Sequence, residues 1–326
     1  MNRIVIVAAA LLAAALVCGC ARHAQEKPYS VSEPPASIES AQSVPPSSAP
    51  TSQPEPAMSK PQTPKTVTLP ELLVKTEVLQ GDILVLRVTN AAEVPLTATT
   101  SLGFTPQFFP DGADQLALLP IRYTLSPGSY TLDVAGEGIS FHTQVAVLER
   151  EFEVQHLEID ESIAEDTALS DTANSEWYAN MEPLKLVSDP EIHWEGRFIL
   201  PCEGELSTQF ACIRYTNDDP NPTRHNGIDL ETEMGTPAAA ANNGRVLFAG
   251  FLQLTGNTVL IEHGCGLKSW YYHMSALHVQ AGDLVEKGEL IGEIGSTGYS
   301  NSPHMHFAIS VNDVFVNPWQ AVDSDL

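Results

Sequence analysis

The chain has few basic residues. Only 16 Lys and Arg stand against 41 Asp and Glu among 326 residues, which gives a formal net charge of −25. A protein that binds nucleic acid needs basic side chains to neutralise phosphates, so we expect no nucleic-acid ligand. The same shortage argues against binding to anionic membrane surfaces by charge. The hydrophobic fraction of 43% still suffices for ordinary cores, and the length suggests about two domains.

Cysteine is also scarce. Beyond residue 20 the sequence contains only Cys202, Cys212 and Cys265. An odd number excludes a complete disulfide framework, and the absence of a CxxC spacing gives no indication of a thiolate metal site. Cys202 and Cys212 could form one bridge across neighbouring strands, or all three could be free buried thiols.

Long apolar runs are absent except at the N-terminus. The run Ile4–Val17 follows Arg3 and is shorter than the ~20 residues that span a bilayer, which is typical of a secretory signal peptide. It ends in Val17-Cys18-Gly19-Cys20, which resembles a bacterial lipobox and implies a lipid on Cys20. The alternative is a plain cleaved signal with two incidental cysteines. We therefore expect an exported protein, anchored to the cell membrane only through this lipid and facing the cell wall or periplasm.

Composition changes predict five segments. Residues 1–20 are the lipoprotein signal peptide with its lipobox Cys. Residues 21–65 are rich in Pro and Ser and predict a disordered tether. Period-two apolar patterns with regular turn signals predict a small β-sandwich over 66–148, which resembles an immunoglobulin-like domain. The strongly acidic stretch 149–196 predicts a solvated linker with a short helix, and compact β-structure returns over 197–326.

Histidines are concentrated in the last predicted domain, where six of the ten lie between residues 225 and 306. The motif His225-Asn226-Gly227-Ile228-Asp229 places a His and a carboxylate on one face of an extended segment. The motif His304-Met305-His306 does the same for two imidazoles on a strand, and His273 lies in a third motif. Neutral imidazoles and a carboxylate are ligands that suit Zn²⁺. Each motif alone is weak evidence, but their joint occurrence predicts a metal site.

Residues 197–320 resemble the zinc metallopeptidases of lysostaphin/LytM type, which cut the peptide parts of bacterial peptidoglycan. The resemblance includes the three histidine motifs, in the family's order, and further matching segments. These segments are Leu206–Phe210, Arg214, Gly235–Pro237, Gly244–Val246, Gly256–Val259, Gly295–Gly298 and Val316–Pro318. The departures, Ala211 before Cys212 and Cys265 in a turn, touch no ligand position.

The resemblance implies roles for the matched residues. It implies that His225, Asp229 and His306 hold one Zn²⁺ per chain. It also implies that His273 and His304 are catalytic residues which assist a zinc-activated water in attacking the scissile carbonyl; it does not decide which one is the base. The implied fold is mainly β, with a C-terminal antiparallel metallopeptidase sheet and a smaller N-terminal β-sandwich.

Two functions are compatible with this resemblance. The first is a zinc endopeptidase that hydrolyses peptidoglycan stem peptides or cross-links. The alternative is a non-catalytic wall-binding protein or an activator of another wall hydrolase, since some relatives have lost metal ligands. All five residues are present here, which favours the enzyme. The sandwich offers a surface for a cell-envelope protein partner, although no motif in it identifies one.

Overall fold

The computed structural model describes residues 68–217 and 219–326, and these form mainly β-structure. The predicted signal peptide, Cys20 and the predicted tether lie outside the described residues. The first strands are β1 (Leu72–Val74), β2 (Glu77–Leu79), β3 (Ile83–Val88), β4 (Thr97–Thr100), β5 (Phe109–Asp111), β6 (Asp114–Pro120), β7 (Gly128–Gly136), β8 (Ile139–Leu148) and β9 (Val154–Leu157).

Two helices follow, and strands then dominate again. The helices are α1 (Glu161–Asp166) and α2 (Asp171–Lys185). The later elements are β10 (Glu205–Thr208), β11 (Ile213–Thr216), β12 (Thr223–Arg224), β13 (Ile228–Glu231), β14 (Pro237–Ala239), β15 (Gly244–Leu252), β16 (Gly256–Gly264), β17 (Leu267–Met274), β18 (Ala276–Leu277), β19 (Leu284–Val285), β20 (Leu290–Glu293), β21 (His304–Val311), β22 (Val314–Val316) and α3 (Pro318–Asp323).

The N-terminal part is a sandwich of two four-stranded sheets, ordered β1-β3-β6-β5 and β2-β8-β7-β4. Alternate residues of the strands point inward, so Leu132 and Val134 of β7 are buried together with Val145 and Val147 of β8. These side chains share one apolar core with residues of the first sheet, including Leu86. The period-two pattern thus produces the expected layer architecture.

The C-terminal part is built on an eight-stranded antiparallel sheet. Its order is β10-β13-β21-β17-β16-β15-β19, with β22 paired to β21. On β21, Met305, Phe307 and Ile309 belong to the main core. Because side chains alternate along a strand, His304 and His306 face the opposite side.

The segment 149–196, predicted as an acidic linker, contributes three elements to the fold. Strand β9 pairs in parallel with β11. Helix α1 begins at the N-cap Asp160, and α2 begins at the N-cap Ser170. Met181 of α2 is fully buried against Trp270, so α2 packs on the same sheet face that carries His304 and His306.

The sandwich and the large sheet meet in a packed interface. Ile83 and Leu118 of the sandwich belong to the same apolar cluster as the core of the large sheet. Gln320 of α3 accepts a hydrogen bond from the Ile83 amide (2.6 Å) and donates one to the Ile83 carbonyl (2.8 Å). Asp82 and Arg150 form an ion pair of 2.6 Å. The described residues accordingly form one compact unit, and the predicted domain boundaries remain predictions.

A fully buried ion pair fixes the segment that follows α2. The Lys268 ammonium lies 3.0 Å from the Glu262 carboxylate, and both side chains are at most 1% exposed. Lys268 also donates to the Val187 carbonyl (2.6 Å), and Glu262 accepts from the Asp189 amide (3.1 Å). The end of the predicted linker is therefore held against the β16–β17 hairpin.

Cys202, Cys212 and Cys265 are all free and buried, so Cys202 and Cys212 form no bridge. Burial raises the pKa of the Cys202 thiol to about 11, which keeps it protonated and unreactive near neutral pH. Among the helices of residues 68–217 and 219–326, none has the length and apolar character needed to cross a membrane.

Candidate metal centre

Neighbouring strands bring two of the motifs together. Strands β13 and β21 are antiparallel, and their register places Asp229 opposite His306 and Glu231 opposite His304. On the other side of β21, Tyr272 pairs with His306, and its ring stacks on the imidazole at 4.9 Å. The expectation that His304 and His306 point into one cleft follows from the strand geometry and is met.

His225 lies in the turn that leads into β13. Its amide donates to the Cys212 carbonyl (3.1 Å), which positions the backbone. Two residues later, a Cβ on Gly227 would lie 2.3 Å from the Phe307 carbonyl oxygen. Only glycine allows this close approach, so Gly227 lets the His225 turn pack against β21.

Three potential ligand atoms converge at this point. His225 Nε2 and His306 Nδ1 each lie 2.9 Å from Asp229 Oδ1, and the two nitrogens lie 2.9 Å from each other. All three residues are buried. Among the residues that the structure describes, His225, Asp229 and His306 form a group that could hold a metal ion.

The protonation of His225 shows that this arrangement suits a cation. His225 Nδ1 lies 3.1 Å from the Gln209 carbonyl, and because a carbonyl only accepts, Nδ1 carries the proton. In the neutral ring Nε2 then has a lone pair that faces the carboxylate oxygen of Asp229. Two imidazole nitrogens and a carboxylate oxygen are ligands that Zn²⁺ takes in proteins. The donor set therefore fits a divalent cation.

Asp229 is anchored from the other side by an arginine. Arg214 Nη2 lies 3.1 Å from Asp229 Oδ2, and the two side chains are 15% and 9% exposed. Burial by itself raises the pKa of Asp229, but the contacts with the His225 and His306 imidazoles outweigh it. The pKa is thereby held well below 3.8, so the carboxylate is ionised.

His273 and His304 stand beside this cluster. Their ring centroids are 4.8 Å apart, and His304 Nε2 lies 3.9 Å from Asp229 Oδ1. His273 has a φ of +65° at an irregularity between β16 and β17, a conformation that non-glycine residues adopt rarely. The Nδ1 atoms lie near carbonyl oxygens, Thr297 for His273 (2.7 Å) and Ser302 for His304 (2.8 Å).

Two of the imidazoles are kept neutral by their surroundings. Burial lowers the pKa of His273 to about 3, and the nearby His304 and His306 add to the shift. Burial likewise lowers the pKa of His306 to about 4. A neutral imidazole is the form that binds a metal.

A cavity of about 660 Å³ opens over the cluster. Its walls include His273 and His304, and also Trp177, Tyr178 and Lys185 of α2. The contribution of α2 to the cavity was not predicted from the sequence, because the acidic composition of residues 149–196 indicated only a linker. The adjacent Trp177 and Tyr178 were the one local sign that part of the segment is packed.

The remaining described histidines lie outside this cavity. His263 is fully buried, with Nδ1 2.7 Å from the Asn243 carbonyl and Nε2 2.7 Å from the Ser269 hydroxyl. These two contacts give His263 a structural role. His142, His156, His193 and His278 do not line the cavity either.

Comparison with known proteins identifies the C-terminal part. Residues 223–318 match the family model "Peptidase family M23", and the chain therefore contains an M23 peptidase domain of lysostaphin type. Lysostaphin from Staphylococcus simulans is 40% identical over 94 residues, which are 28% of this chain and 19% of lysostaphin. The DD-carboxypeptidase/endopeptidase Mpg from Neisseria meningitidis is 43% identical over 94 residues, which are 29% of this chain and 22% of Mpg.

A solved structure extends the likeness in fold. A putative peptidase M23 from Pseudomonas aeruginosa superposes with a TM-score of 0.56 at 23% identity, over 76% of this chain and 95% of that chain. The shared fold therefore reaches beyond residues 223–318. Since the matched segments span only about a fifth of lysostaphin and Mpg, these relatives identify the domain rather than the whole protein.

Proposed function

We propose that the M23 domain of this chain is a zinc-dependent endopeptidase that hydrolyses peptide bonds of bacterial peptidoglycan. One observation carries the proposal: three buried donors converge within 2.9 Å of one another, with two further imidazoles at the edge of the same cavity. The matched relatives are named as peptidases, and peptidoglycan is the typical substrate of the family.

In this proposal His225, Asp229 and His306 would hold one Zn²⁺ per chain. The ion would polarise the scissile carbonyl and lower the pKa of water toward ~7. His225 Nε2 and His306 Nδ1 would supply lone pairs, and the Arg214 contact leaves Asp229 Oδ1 for the metal.

His273 and His304 move the protons. Each has Nδ1 against a backbone carbonyl, so in the neutral ring each presents an unprotonated Nε2. One of these nitrogens accepts the proton that the attacking water loses. A histidine that has taken up this proton becomes a donor, and it can then protonate the departing amine.

The cavity has room for a peptide segment. Its volume of about 660 Å³ lies in the range typical of ligand sites. Stem peptides and cross-links of peptidoglycan are peptides of suitable size, and α2 forms part of the cavity wall.

Digestion of isolated peptidoglycan tests this function. The whole chain is used, because a fragment starting at residue 197 would expose the core that is shared with Ile83 and Leu118. We expect soluble fragments with new amino termini by mass spectrometry, their loss with a chelator, and their return with zinc. If zinc-loaded protein leaves peptidoglycan uncut, the alternative of a non-catalytic binding protein or activator replaces the proposal.

Two substitutions separate metal binding from proton transfer. We expect His225→Ala to lose both bound zinc and activity. His304→Ala should keep about one zinc per chain and lose activity by roughly 10²–10⁴-fold, the usual contribution of general acid–base catalysis. His278→Ala is the matched control, since His278 is partly exposed and contacts Glu293 instead of the cluster. Zinc loss in His304→Ala would contradict the assigned roles.

The setting at the cell envelope belongs to the same proposal. A lipid on Cys20 would hold the domain at the membrane, facing the wall or periplasm. Labelling with a radioactive fatty acid tests it: wild type should be labelled and Cys20→Ser should not, whereas equal labelling would exclude Cys20.

A further inference from the structure

The metal ligand Asp229 depends on how Arg214 is held. Arg214 has a long flexible side chain, and fixing such a side chain costs rotamer entropy, so further contacts are needed to anchor it. Its Nη2 reaches Asp229 Oδ2 at 3.1 Å and Thr208 Oγ1 at 3.3 Å. The third hydrogen bond that holds the Arg214 side chain is made by its Nε.

Gln155 supplies that anchor. Arg214 Nε donates to Gln155 Oε1 at 3.1 Å. The parallel pairing of β9 and β11 places the two residues directly in register. Because arginine only donates, the amide oxygen must face it, and the amide nitrogen is left 3.4 Å from Thr208 Oγ1.

These contacts form a closed network around the carboxylate. Thr208 pairs with Asp229 across β10 and β13, while Gln155 joins Thr208 to Arg214. With Oδ2 taken by the guanidinium, Oδ1 is the oxygen that faces His225 and His306.

From this geometry we infer that Gln155 is a positioning residue of the metal centre, which acts through Arg214 on Asp229. The inference rests on the proposed function, because it concerns the ligands of the proposed zinc ion. Gln155 belongs to β9, outside the family match of residues 223–318. The segment before the matched domain is thus part of the metal centre.

Zinc affinity tests this role. The probe is Zn²⁺ alone, measured in competition with a chromophoric chelator, on the purified whole chain. Partners behind metal ligands usually contribute 10–100-fold to metal affinity, and Gln155 acts one contact further away. We expect Gln155→Leu to weaken zinc binding about tenfold and to alter the visible absorption spectrum of the Co²⁺-loaded protein.

Two variants separate positioning from general damage. Gln155→Glu keeps an acceptor for Arg214 and should bind zinc within about threefold of wild type. Gln144→Leu is the matched control, since Gln144 is exposed on β8 of the sandwich and should leave affinity and spectrum unchanged. If Gln155→Leu does not fold, Gln155→Thr takes its place, because threonine suits a strand and is too short to reach Arg214.

The outcomes are distinguishable. Wild-type affinity and spectrum in Gln155→Leu overturn the inference while leaving the proposed function intact. Equal losses in Gln155→Leu and Gln155→Glu also overturn it, because the acceptor would then be irrelevant. If wild type itself binds no zinc, the proposed function fails instead.

Discussion

Replacing Lys268 by methionine is a direct test of how the segment after α2 is held in place. Lys268 and Glu262 are at most 1% exposed and 3.0 Å apart. Burial raises the pKa of Glu262 and lowers that of Lys268, while each partner's charge offsets part of the shift. Lys268→Met keeps the volume of the apolar stem but leaves the Glu262 carboxylate without a counter-charge.

The expected loss follows from that unpaired charge. Removing one partner of a buried pair costs about 3–5 kcal/mol, which for a protein of this size lowers Tm by about 6–20 °C. Adding Glu262→Gln should recover more than half of the loss. A glutamine oxygen can still accept from the Asp189 and Gly266 amides, which now donate to Glu262 Oε1 at 3.1 and 3.3 Å.

Urea unfolding at neutral pH, followed by circular dichroism, measures these differences. Lys287→Met is the control, since this lysine is exposed and its ammonium group donates to the backbone carbonyls of Glu195 and Arg197. A loss below about 1 kcal/mol in Lys268→Met, or a double variant less stable than the single one, would refute the reasoning, because the ion pair would then not be buried as described.

Two further predictions concern stability. Burial lowers the pKa of His263 to about 4, below the ~6.5 of an unfolded histidine. The unfolded state therefore takes up a proton first as pH falls, and the free energy of unfolding should drop by about 3 kcal/mol from His263 between about pH 6.5 and 4. Urea unfolding measured at several pH values in this window should show that the free energy of unfolding depends less steeply on pH in His263→Asn than in wild type. An unchanged pH dependence would contradict the lowered pKa of His263. Gln320→Ala should cost about 2 kcal/mol, because it leaves both the amide and the carbonyl of Ile83 unpaired at the interface. Unfolding measurements check this, with exposed Gln280→Ala as the control, and equal stability of the two variants would count against the interface.

Strand patterns within the sequence were reliable because they depend on neighbouring residues. The apolar-rich run Ile83–Val88 forms β3. Trp270–Tyr272 lies within β17, and Thr258–Glu262 lies within β16. Thr68 and Leu69, at the start of the predicted sandwich, are not in a strand, which shows that a short alternating run alone is insufficient.

The segment 149–196 illustrates what composition hides. Its acidic residues face solvent, while a few apolar ones, above all Met181 and Trp177, pack on the sheet. A count of charges reports the exposed face and overlooks the buried side. The position of α2 at the cavity depends on packing against strands β15, β16, β17 and β21, which are distant from it in sequence.

The sequence by itself determined the chemistry of this protein: three motifs with imidazoles and a carboxylate, spaced so that each motif presents its side chains on one face of a strand or extended turn. Tertiary structure alone decided which motifs meet. The β13–β21 register sets Asp229 against His306, the backbone irregularity at His273 aims that ring beside His304, and β9 brings Gln155 to Arg214. The reason is physical: period-two geometry is fixed by adjacent residues, whereas register and packing between distant segments depend on the folding of the whole chain.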